Sequence, residues 1–493
     1  MKVRICLILL MAMVSAHWVS ALTIETSSGN LSSLTGEDMR EEQSLTLIGT
    51  MDVRDFNAMP DLFPSLRTLD ISEVVIEEFV AIDRLIGGKT LFEADALPPQ
   101  AFFGMGLTSV VLPEGLKKIS EGAFTAVPLK KIDIPASVVT IGDYSFYDCD
   151  ELEDITLTSA IDAIGNYAFA GCDRLATADL SLTRLESVSE AAFANCLSLK
   201  NVKLSPATTA ICDKTFMNCV ALENIALPSD LRQIGERTFY GCGLTHIELP
   251  ATAETVGEFA FAASPKLETI VIKGKATQLC DGAFFYCPKL ASIDAQISNV
   301  ADYLFCGDEC LRFESDDFVN TKEIGDYALY NNKSQKIIVG QSVSSLGDKA
   351  MAGMTRLTLI DVSALEERVP QLGENVFEGV SQSEVTLRVA DGTEQAWKSS
   401  SQWNEFKIVD YSSVVKIDKE KSDIKAWFGE GGLNIRSTDV IRKVSIYASQ
   451  GIHLATLCPN QTSAECQINE LTEKIYIVVV TTDNQVATFK LIR

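Results

Sequence analysis

Cys149, Cys172, Cys196, Cys219, Cys242 and Cys287 recur at near-regular intervals, and thiols are the side chains here best equipped for nucleophilic, redox or metal chemistry. Zinc needs convergent ligands at close spacing, and the chain has no C-x-x-C pair. Met105, Val127, Met354 and Val380 take the equivalent place in other copies of the pattern, which reads as a small apolar filler. Side chains in one such column point in parallel, a poor geometry for a disulfide. Cys458 and Cys466 are the best disulfide pair, with Cys306 and Cys310 second. Oxygen ligands for calcium could come from Asp148, Asp150, Glu151, Glu153 and Asp154, or from Glu314 to Asp317. Neither run has the D-x-D-x-D-G spacing, so both read as solvated charged edges. His246, one of three histidines, has no serine–acid or cysteine constellation around it in the sequence. Nucleophile elbow, P-loop and dinucleotide fingerprints are absent, so the expectation is no enzyme, no metal and no cofactor.

The elements that carry these residues come from an internal repeat. The pattern I-G-x-x-A-F-x-x-C-x-x-L-x-x-I-x-L is clearest from Ile141-Gly142 through Phe146, Cys149, Leu152 and Ile155 to Leu157. Thirteen units are anchored on Phe102, Phe124, Phe146, Phe169, Phe193, Phe216, Phe239, Phe261, Phe284, Phe305, Leu329, Met351 and Phe377. Their mean period of about 23 lies in the leucine-rich-repeat range. The segment L-x-x-I-x-L, as in Leu222 to Leu227, alternates like a short half-buried strand. Stacked coil on coil, such strands form a parallel sheet, and Pro113, Pro135, Pro228 and Pro250 end four of them. Gly, Asn or Asp stands two residues after the anchor in ten of thirteen units, marking a turn with positive φ; Ala126, Ala263 and Tyr286 depart from it. The anchor rings are expected to form one continuous ladder.

Lys2 and Arg4, the apolar run Ile5 to Val14 and small-residue sites ending at Ala16 and Ala21 predict a signal peptide over residues 1–21. No later stretch is long enough for a membrane helix. Residues 22–95 read as an N-terminal cap, 96–389 as the repeats, and 390–411, with Trp397, Trp403 and Phe406, as a C-terminal cap. A linker at 412–426 leads to a small β-sandwich at 427–493 with turn signals at Gln450-Gly451 and Asp483-Asn484. Net charge of −25 argues against nucleic acid or an anionic membrane as the main partner.

The nine residues Ile141 to Cys149 closely resemble the BspA-like family of bacterial leucine-rich repeats, over roughly residues 45–410. The resemblance implies an exported, surface-exposed, non-catalytic protein that adheres to host matrix proteins or other cells. The tail resembles a type IX secretion sorting domain of Bacteroidetes-type bacteria. Leu433-Asn434-Ile435, Val444 to Tyr447 with Gln450-Gly451, Leu471 with Tyr476 to Val478, and Lys490-Leu491 carry the likeness. Glu473-Lys474-Ile475 departs from it where that family has a glycine. The likeness implies engagement of export machinery and an outer-surface or secreted location.

Function therefore rests on surface. The outward strand positions form a variable polar grid, and Asn201, Lys203, Asn224, His246 and Glu248 near its centre are the expected protein-binding residues. The grid has no aromatic side chain on which a sugar ring could stack. The alternatives are glycan or nutrient capture by Tyr147, Tyr240 and Tyr330 on the opposite side, or a structural surface-layer role.

Overall fold

The computed structural model describes residues 21–34, 37–82, 88–274, 277–295, 297, 299–311, 313, 321–366, 368–410, 424–429, 432–448, 453–466, 475–483 and 486–492. Residues 1–20 of the expected signal peptide, the acid run 314–317, residue 411 of the expected C-terminal cap, residues 412–423 of the expected linker and the turn residues Gln450, Gly451 and Asn484 lie outside them. The chain forms a mostly β solenoid of about 16 turns, more than the thirteen expected. The excess has a simple origin. Strands Leu22–Thr26, Ser44–Met51 and Thr68–Ile76, expected as an irregular cap, pair in parallel and continue into the rung Ser109–Val111.

The contacts group the chain into residues 1–294 and 295–493. In the first unit most coils contribute to two ladders. One holds three- or four-residue strands such as Asp154–Thr156, Thr177–Asp179 and Asn201–Lys203. The other holds two-residue strands such as Ala210–Ile211, Gln233–Ile234 and Thr255–Val256. Between them a turn runs through the anchor, whose N–H reaches the next coil: Phe146 donates to the Ala168 carbonyl at 2.7 Å and Phe169 to Ala192 at 2.8 Å. The anchor rings from Phe102 to Phe284 stack in unbroken succession with centroids 5.1–5.7 Å apart. Phe56 meets the first of these rings edge-on at 5.7 Å. It sits on helix Val53–Leu62, which starts at a capping box between Asp52 and Asp55. Each of the four prolines opens a tight turn, as where Leu231 donates to the Pro228 carbonyl at 3.2 Å, but only Pro113 and Pro250 follow strands, and the segment before Pro135 forms none.

Two local expectations fail. Leu222 to Leu227 forms no ladder strand: it makes one isolated bridge, Lys203 to Ala226, and accepts the Thr245 N–H at the Glu223 carbonyl at 3.1 Å, and Ile225 is only half-buried. The positive-φ column two residues after the anchor is present even at Ala126, Ala263 and Tyr286, but a second such column, two residues before the anchor, was not expected. Tyr144, Tyr167, Lys214, Arg237 and Phe259 occupy it.

In the second unit strands Lys336–Ile338, Leu359–Asp361, Thr386–Val389 and Lys407–Asp410 make the main ladder. Phe377 packs edge-on against Trp403 and Phe406 at 5.0 and 4.8 Å, and Trp397 against Trp403 at 5.2 Å, so a cluster of buried aromatics lies beside the last rungs of this ladder. The tail is antiparallel. Its 17-residue strand Gly432–Ala448 pairs with four others, and one buried cluster joins Leu433 and Ile435 to Val444, Ile446, Tyr476 and Val478. The first strand of this sheet, Lys425–Gly429, begins inside the segment expected as linker.

Candidate functional site

On the main ladder of the first unit, burial alternates residue by residue, as in Asn201–Lys203, exposed–buried–exposed, and His246–Leu249, exposed–buried–exposed–buried. The pleat therefore sends the variable positions outward and the Leu, Ile and Val positions into the coil. All five expected binding residues, Asn201, Lys203, Asn224, His246 and Glu248, are exposed. The face is not continuous. Rungs 154–203 form one three-stranded sheet and rungs 246–294 another, with the coil around Asn224, which makes only an isolated bridge, between them.

Neighbouring rungs tie three of the five side chains. Lys203 Nζ lies 2.7 Å from Asp179 Oδ2, Glu248 pairs with Lys273, and His246 Nδ1 meets the Thr269 hydroxyl. The Lys203 ammonium, with the Ser181 hydroxyl, holds the Asp179 carboxyl down to about 2. Lys273 likewise lowers Glu248. The grid thus carries charge that is largely compensated along the ladder. A partner would meet a mixed polar surface rather than a net field, and Asn201 and Asn224 present uncharged amides beside the interrupted rung.

The thiol column does more than fill space. The Sγ–H of Cys149 donates to the Phe124 carbonyl at 3.1 Å, that of Cys172 to Phe146 at 3.2 Å, and Cys196, Cys219, Cys242 and Cys287 repeat the contact one coil on. Each bond satisfies the anchor carbonyl of the preceding coil. A clue stood in the sequence: Ser264 holds the same column position, and its hydroxyl reaches the Phe239 carbonyl at 3.4 Å. Burial pushes the Cys149 thiol up to about 12 and Cys172, Cys196 and Cys219 upward as well, which removes thiolate chemistry at neutral pH.

The expected disulfides are not formed. Cys306 is a buried and Cys310 an exposed free thiol, and Cys458 is free and exposed. Leu457, just before Cys458, pairs with Val444, whereas Cys466 pairs with Leu433, so the two cysteines lie far apart along the same edge of one long strand. At about 3.3 Å per residue their separation is roughly 25 Å, beyond any disulfide. Among the described residues no group of three or more His, Cys, Asp or Glu is placed to hold a metal ion. Partial desolvation, then repulsion from Asp150 and Asp173, raises the Asp148 carboxyl. On the turn side Tyr147 sits edge-on to Tyr144 at 5.7 Å, Tyr330 is tilted against Tyr327 at 5.7 Å, and Tyr240 is half-buried.

Short parallel strands repeated coil after coil and an inner ladder of large apolar side chains define a leucine-rich-repeat solenoid. The chain belongs to the family described as BspA type Leucine rich repeat region: six copies match over residues 95–222, 186–313 and 322–420. A leucine-rich repeat protein from Bacteroides ovatus ATCC 8483, known from its crystal structure, aligns with a TM-score of 0.59 at 21% identity, over 80% of this chain and 93% of that one. A leucine rich cell surface protein from Faecalibacterium prausnitzii A2-165 aligns at 18% identity and a TM-score of 0.38, over 67% of this chain and 89% of that one. The T. pallidum leucine rich repeat protein aligns at 22% identity and a TM-score of 0.28, over 47% and 87%. No curated protein matches the chain.

Proposed function

We propose that this is a non-enzymatic binding protein of the cell exterior, which adheres to host matrix or cell-surface proteins through its outward strand face. The contrast between interior and exterior carries the reading. Packing accounts for the buried columns, but no packing requirement selects the exposed Asn201, Lys203, Asn224, His246 and Glu248. Since their charges are paired along the ladder, binding rests on many modest polar contacts over about 1,200–2,000 Å² with little electrostatic steering. The test replaces Lys203, Asn224, His246 and Glu248 together with alanine. Circular dichroism should stay unchanged, while binding to immobilised matrix proteins should fall at least about tenfold. Undiminished binding, with loss on substituting Tyr147, Tyr240 and Tyr330, would move the site to the turn side and favour glycan capture.

Export is part of the same proposal. It rests on the apolar run at 5–14 with its small-residue sites and on the likeness of the tail to sorting domains. No helix among the described residues is long and apolar enough to cross a membrane. Deleting residues 427–493 should leave the protein in the periplasm of its own cell; surface labelling that persists after the deletion would remove the sorting role.

A further inference from the structure

The strand Thr68–Ile76 is nine residues long, and the next rung, Ser109–Val111, has three. One edge of the long strand is paired with Ser44–Met51 along its length, but on the other edge only Thr68, Leu69 and Asp70 find partners. Pro113 is the cause. It cannot extend a ladder, and the chain turns there, with Leu116 donating to the Pro113 carbonyl at 3.1 Å. The Ser72 N–H is taken by Asp70 Oδ1 at 2.9 Å, and from the Ser72 carbonyl to Val75 the edge has no strand partner and lies along a depression of ≈ 270 Å³, walled by Pro113 to Leu116. The Asp95 N–H, 2.9 Å from the Ile76 carbonyl, closes its end.

Free edges are usually blunted by lysine, proline or a covering segment. This one has none of these on the long strand itself. Val75 is 56% exposed, and the charged side chains that line the depression are Glu73, Asp95 and Glu114, all acidic. An unpaired edge supplies main-chain hydrogen bonds, and three carboxylates supply sign selectivity.

We propose that this edge is a docking slot for an extended cationic segment of a partner protein, which adds to Ser72–Val75 as a further strand. Four residues at about 3.3 Å each give a contact of roughly 13 Å. Alternate side chains of the incoming segment pack toward Val75, and its lysines or arginines meet Glu73, Asp95 and Glu114. The slot precedes the grid residues in the coil order and is independent of the binding role proposed for them.

Gly115 provides a clean test, because a Cβ added there meets no atom within 4 Å. Gly115→Trp should fill the slot without disturbing the fold. The probe is a fluorescein-labelled peptide of alternating valine and lysine, seven residues long, followed by anisotropy on the full chain. Gly115→Trp and the pair Glu73→Gln with Glu114→Gln should each weaken it at least about tenfold with thermal unfolding unchanged. The same peptide N-methylated at alternate residues, which keeps its charge but loses ladder bonds, should also bind at least about tenfold less tightly. The grid variant with four alanines should bind it as the parent does. Bound peptide should slow hydrogen exchange at Ser72–Val75. Failure of the peptide to bind, equal binding by the N-methylated form, or insensitivity to Gly115→Trp would each overturn the proposal. So would a dimer of the parent protein that Gly115→Trp dissolves, since the occupant would then be a second copy of this chain.

Discussion

Replacing Phe193 by alanine should lower the stability of the solenoid by about 3–5 kcal/mol. The ring is fully buried and lies between Phe169 at 5.3 Å and Phe216 at 5.7 Å, nearly parallel to both. Neighbouring rings are held by their own backbone bonds, such as Phe216 N–H to the Thr238 carbonyl at 2.9 Å, so they cannot close on the void. The Phe193 carbonyl also accepts the Cys219 thiol at 3.2 Å, and a shift of this turn would strand that donor. Phe193→Leu should cost much less, under about 1.5 kcal/mol, because Leu329 and Met351 fill the same column elsewhere. Guanidinium unfolding of the two variants beside the parent gives the comparison. An alanine variant within about 1 kcal/mol of the parent would show that the ladder is not what holds the coils together.

The ring ladder was legible because it is written by side chains alone: an invariant large apolar residue every coil has one place to go. The turn after the anchor was legible for a related reason, since Gly104, Asn195 and Gly241 advertise positive φ. The turn before it was not. Tyr144, Tyr167, Lys214, Arg237 and Phe259 take the same left-handed backbone at a cost of about 1–2 kcal/mol each. Contacts that exist only between coils hold them there. The Tyr144 N–H reaches the Asn166 carbonyl at 2.9 Å, that of Lys214 the Glu236 carbonyl at 2.8 Å, and that of Phe259 the Asp281 carbonyl at 3.0 Å. A residue type cannot reveal a conformation imposed by the next coil. The interrupted rung at Leu222 to Leu227 is the converse case, where a well-patterned segment lacks the partner contacts that would make it a strand. The same limit applies to the grid. Which positions face outward followed from a period of two, but the lateral pairs Lys203–Asp179 and Glu248–Lys273 cross coils and were invisible to a reading along the chain.

One inter-coil pairing can be written back into the sequence. Asp213 Oδ1 accepts the Glu236 N–H at 2.8 Å, and Asp302, Asp326 and Asp348 make the same bond to the following coil at 2.7, 2.7 and 2.6 Å. In each case the residue before the N–H is glycine, and an added Cβ on Gly235 would lie 2.4 Å from that Asp213 oxygen and 2.6 Å from its nitrogen. Where the preceding coil has glutamate instead, the next coil carries Cys212 after Glu190 and Cys280 after Glu258, but keeps Gly142 after Glu121 and Gly257 after Glu236. In the four coils named, the aspartate bond and the glycine therefore share one tight contact across the coil boundary. Gly235→Cys alone should cost about 2–4 kcal/mol, from overpacking of about 1–3 and a weakened bond of about 1. Adding Asp213→Glu recreates the pair found at Glu190 and Cys212, and it should recover at least about 1 kcal/mol, a coupling within the usual range for residues in contact. Because coils interact with nearest neighbours, the single variant should lose hydrogen-exchange protection at Lys214, Phe216 and Gly235, whose N–H groups bond across coil boundaries here, while Phe146 and Phe124 keep theirs. Strict additivity of the two substitutions would mean that aspartate and glycine fill their columns independently, and the coil boundary would then be set by the ring ladder and the backbone bonds alone.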